Sequence, residues 1–83
     1  MGTLVAGEKF TVVRDGVEYE FEAAEEGGYV ARVPEYPSCI SQGETFEEAL
    51  DNIQDGLVEI LATARKLGLE IPSSLEHIGA SAK

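Results

Sequence analysis

The 83 residues hold one thiol and one imidazole, Cys39 and His77, the first pair to weigh as a nucleophile with its base. A nucleophile needs its base within hydrogen-bond reach. These two meet only if the polar C-terminal segment folds back beside Pro37, and nothing in the spacing demands that. Read for packing, Cys39 is a small buried residue next to Ile40 and His77 a surface residue. One Cys and one His complete none of the usual zinc sets. Carboxylates are plentiful, but Glu18, Glu20 and Glu22 alternate along one strand face, while Glu47, Asp51, Asp55 and Glu59 climb one helix face at intervals of four. A two-metal site needs carboxylates converging on a pocket, whereas these rows follow the solvent side of amphipathic elements. Gly27-Gly28 precedes a strand, while anion-binding glycines precede a helix N-terminus. The residue types therefore predict a protein that is not an enzyme and uses no cofactor or metal. A residual nuclease on Glu18, Glu20 or Glu22 is the remote alternative.

Charge points to binding instead. Six Lys and Arg stand against 16 Asp and Glu, a formal net charge of -10. Phosphate binding draws on Lys and Arg displacing counterions, so no direct contact with nucleic acid is expected. The complementary partner is a cationic protein surface, although such a charge equally serves solubility. Residues 1–7 lack the charged start and apolar run of a signal peptide, Ala6 stands where a myristoylation signal wants Ser or Thr, and no stretch approaches a membrane span. The expectation is a cytoplasmic protein that does not associate with membranes.

These groups must be positioned by a small α+β domain. Val17-Glu18-Tyr19-Glu20-Phe21-Glu22-Ala23 alternates strictly, as a half-buried strand does. Asp15-Gly16 before it signals a two-residue turn, which sets Arg14 opposite Val17, Val12 opposite Tyr19 and Phe10 opposite Phe21. For Tyr29, Ala31 and Val33 to share the core face with Tyr19 and Phe21, the next loop must hold an odd number of residues, with a left-handed glycine. Pro34 and Pro37 bracket Glu35-Tyr36 outside the sheet before Cys39 to Gln42 resume a brief fourth strand.

Thr45-Phe46-Glu47-Glu48 reads as a capping box in which Thr45 and Glu48 satisfy each other's amides. The apolar stripe from Phe46 through Ala49, Leu50, Ile53, Leu57, Ile60, Leu61 and Ala64 to Leu67 predicts a helix of about 33 Å, capped by Gly68 and stopped by Pro72. That exceeds what a short sheet covers, so its C-terminal half is expected to overhang. Gly56 weakens mid-helix by about 1 kcal/mol, which close approach of another backbone would explain. The whole, residues 1–83, reads as one domain with a core over 9–72 and a tail over 73–83. A domain this short buries only about 60% of its unfolded surface. With one cysteine there is no internal disulfide, so self-association, as a dimer or tetramer, is the expected remedy, with a neighbouring subunit ordering the tail.

The run Gly27-Gly28-Tyr29, a strand, Pro34-Glu35-Tyr36-Pro37, a short strand, Gln42-Gly43-Glu44-Thr45, then Glu47-Glu48-Ala49 and a long helix resembles the HicB antitoxin family, and Leu69-Glu70-Ile71-Pro72 matches its usual helix exit. The resemblance covers roughly half the chain with its spacing intact. It implies an antiparallel sheet of three to four strands, order β-β-β-(short β)-α plus tail, with one long helix laid across it: a degenerate ribonuclease H-like fold without catalytic carboxylates. It also implies a partner, a small basic HicA-like toxin that cleaves messenger RNA, held off its RNA by the antitoxin in a type II toxin-antitoxin system. Two features depart from the family: the hairpin strand over 10–14 lies beyond the core motif, and the chain ends 11 residues after Pro72 with nothing basic enough to replace the DNA-binding domain many members carry.

Partner contacts are expected from Glu35, Tyr36 and Pro37 in the proline loop and from Glu44, Glu47 and Asp51 at the helix start. Tyr36, held between two prolines, is the expected exposed anchor, with packing as a lid over the sheet the competing reading. The alternative function is a stand-alone, homo-oligomeric HicB-like interaction module with no toxin.

Overall fold

The computed structural model describes residues 7–79. Residues 1–6, where no leader is expected, and the last four residues of the tail lie outside the described residues. Four strands, β1 (Lys9–Arg14), β2 (Val17–Ala23), β3 (Tyr29–Arg32) and β4 (Ile40–Gly43), precede one helix, α1 (Phe46–Leu67), and a 3-10 turn, η1 (Ser73–Leu75). The strands form a single antiparallel sheet in the order β1-β2-β3-β4. The fold is α+β, with α1 and the residues after it covering one face of the sheet.

Local chemistry sets this order. Asp15 and Gly16 both take positive φ, 54° and 75°, as a type I′ turn requires. The expected register follows, with Arg14 opposite Val17, Val12 opposite Tyr19 and Phe10 opposite Phe21. The next loop closes through the Ala24 amide donating to the Gly28 carbonyl at 3.0 Å, leaving the three residues Glu25, Glu26 and Gly27 between them. An odd loop keeps Ala31 and Val33 on the buried face with Tyr19 and Phe21. The fourth strand starts at Ile40, one residue later than expected, although the Val33 amide still donates to the Cys39 carbonyl at 3.2 Å in the same register.

The helix has the expected bounds. The Thr45 hydroxyl accepts from the Glu48 amide at 3.0 Å, but the Glu48 carboxylate reaches past Thr45 to the Glu44 amide at 2.7 Å. Gly68 ends α1 in the left-handed conformation. Ala49, Leu50, Ile53, Leu57, Leu61 and Ala64 are buried. At roughly 1.5–3 kcal/mol for each large side chain, that stripe is what holds the helix on the sheet.

Two expectations are corrected by the packing. A side chain at Gly56 would meet nothing within 4 Å, so close approach does not explain that glycine. The close approach occurs at Gly43, where a Cβ would fall on the Ala49 amide nitrogen and within 2.8 Å of the Glu48 carbonyl carbon. The C-terminal half of α1, moreover, is covered by the residues that follow it. Leu75 and Ile78 belong to the core cluster with Leu57 and Leu61, so the described part of the tail is ordered by its own chain rather than by a neighbour.

Candidate functional site

The expected contact residues fall at opposite ends of β3 and β4. Glu35, Tyr36 and Pro37 join the end of β3 to the start of β4, whereas Glu44, Glu47 and Asp51 follow β4 and open α1. The structure does not bring the two groups together as one surface.

At the proline end the loop is tied down. The Tyr36 amide donates to the Val33 carbonyl at 2.9 Å, and the Cys39 amide to the Tyr36 carbonyl at 2.8 Å. Tyr36 is half-buried and packs against the core, so it is a lid rather than the expected exposed anchor. Glu35 is exposed, and its carboxylate accepts from the Ser74 hydroxyl at 2.6 Å, fastening the tail to this loop. Further along the tail, the His77 ring nitrogen Nε2 lies 2.6 Å from the Asp15 carbonyl, which makes it the proton-bearing nitrogen. Arg65 donates to the Glu76 carbonyl at 2.8 Å. Residues 73–79 thus run as a strap between the proline loop and the first hairpin turn.

Cys39 is buried in the core, and burial pushes its thiol up from the usual value, away from the reactive thiolate. Tyr19 is raised as well, chiefly by burial, with smaller effects from Cys39 and Asp15. His77 is occupied with the Asp15 turn, so no Cys-His pair is built. The strand carboxylates are held by a cation: Arg32 lies 3.5 Å from Glu20 and 3.7 Å from Glu22. Among the described residues, no group of three or more His, Cys, Asp or Glu is placed to hold a metal ion.

At the other end, the glycines of the signature make a corner. Gly28 takes φ 83°, and a Cβ there would stand 2.6 Å from the Gly43 carbonyl oxygen. Gly43 in turn lies beneath the first turn of α1, and Asn52 donates its side-chain amide to the Gln42 carbonyl at 2.8 Å. The result is an open cleft of about 630 Å³, walled by Gly27, Gly28, Tyr29 and Gly43 and edged by Glu26, Glu44 and Glu48. Beside it, the outer face of α1 carries Glu47, Asp51, Asp55 and Glu59, all exposed. No ion pair joins them to a described residue. Like charges at i,i+4 each destabilise a helix by about 0.2–0.5 kcal/mol, and this row holds three such pairs in succession. Asp55 and Glu59 extend the surface beyond the expected Glu44, Glu47 and Asp51, and the four-residue spacing was the signal for them.

The class these features define is a two-layer α+β domain with a glycine corner and one acidic helix face. Comparison with known proteins gives its family. A UPF0150 protein of Thermoplasma acidophilum is 40% identical over 48 residues, 58% of this chain and 70% of that one. A UPF0150 protein of Synechocystis is 36% identical over 58 residues, 70% of this chain and 77% of that one. The Antitoxin HicB 1 of Photorhabdus laumondii is 46% identical over 37 residues, 45% of this chain but 24% of the antitoxin. The chain belongs to the UPF0150 family of HicB-like proteins. No family model matches it, and no solved structure does. Among the described residues, no helix is long and apolar enough to cross a membrane.

Proposed function

We propose that this chain is a cytoplasmic, non-enzymatic binding protein of the antitoxin type, which occupies the cationic surface of a small basic HicA-like toxin and keeps messenger RNA from its site. The observation that carries this reading is the outer face of α1. Four exposed carboxylates, Glu47, Asp51, Asp55 and Glu59, repel one another without an ion pair to any described residue. A basic partner converts that repulsion into attraction, and opposed charge of this kind speeds encounter and sets specificity. Likeness to an antitoxin over part of its length supports the same choice of partner.

The proline loop has a supporting role in this reading: with Tyr36 packed and Glu35 tied to Ser74, it holds the strap. Tagged protein purified from its own cells at low salt is expected to bring down a small basic protein, and the complex is expected to weaken as salt rises. Recovery of the chain without any basic protein, under the same low-salt conditions, contradicts the reading.

A further inference from the structure

We draw no further inference here: the strongest candidate, the open cleft of about 630 Å³ between the β2–β3 loop and the first turn of α1, rests on a helix N-terminus edged by the carboxylates of Glu26, Glu44 and Glu48, and nothing in the structure shows what would occupy it.

Discussion

The two halves of α1 differ in what joins the side-chain core over them. Over the first half backbone contact is added to the side-chain packing of Phe46, Ala49, Leu50 and Ile53: Gly28 admits the Gly43 carbonyl, and Gly43 admits the turn at Glu48 and Ala49. Over the second half the addition is the strap, whose Leu75 and Ile78 join Leu57 and Leu61 in the core. The glycine corner holds most of the residues by which the chain resembles its family, and the strap holds none of them. Motif residues of this kind mark where main chains must touch, so they identify the fold more than the activity.

The contrast can be broken at either end. The largest effect is expected at Gly43→Ala, where the added methyl falls on helix backbone that cannot rotate away; a loss of about 3 kcal/mol or more is expected in urea unfolding. Leu75→Ala comes next, at about 2–3 kcal/mol, because Leu75 is fully buried and its truncation leaves a cavity under Leu57 and Leu61. Equal stability of Leu75→Ala and the wild type would mean that the strap is not part of the core. The smallest change has the opposite sign. Gly56→Ala places a methyl in open space on a helix and should raise stability by about 1 kcal/mol. Destabilisation there would reveal a contact at Gly56.

Much of the fold was legible because short-range chemistry decides it. Asp15-Gly16 leaves one register for the hairpin, and the capping residues with the apolar stripe leave one span for α1. Sequence points to Gly56 rather than Gly43 for the close approach, because a glycine inside a helix stands out while one at the end of a strand resembles ordinary punctuation. The strap's packing is not legible, since two apolar residues three apart in a polar stretch, Leu75 and Ile78, are too few to show a face. For the candidate site, the spacing of Glu47, Asp51, Asp55 and Glu59 was legible, but the separation of Glu35, Tyr36 and Pro37 from the helix start is a matter of tertiary placement. Likewise, whether a tyrosine between prolines points outward or down depends on the hydrogen bonds of its loop.

Binding through the acidic face is tested most directly by charge reversal. Asp51→Lys combined with Asp55→Lys alters two exposed side chains of α1 that pair with no described residue, so the fold should persist. Titrated against the basic protein recovered from the native cells, the double variant should bind on the order of 100-fold more weakly, with a flatter dependence on salt. Wild-type affinity and wild-type salt dependence in that variant would contradict the acidic face of α1 as the partner surface.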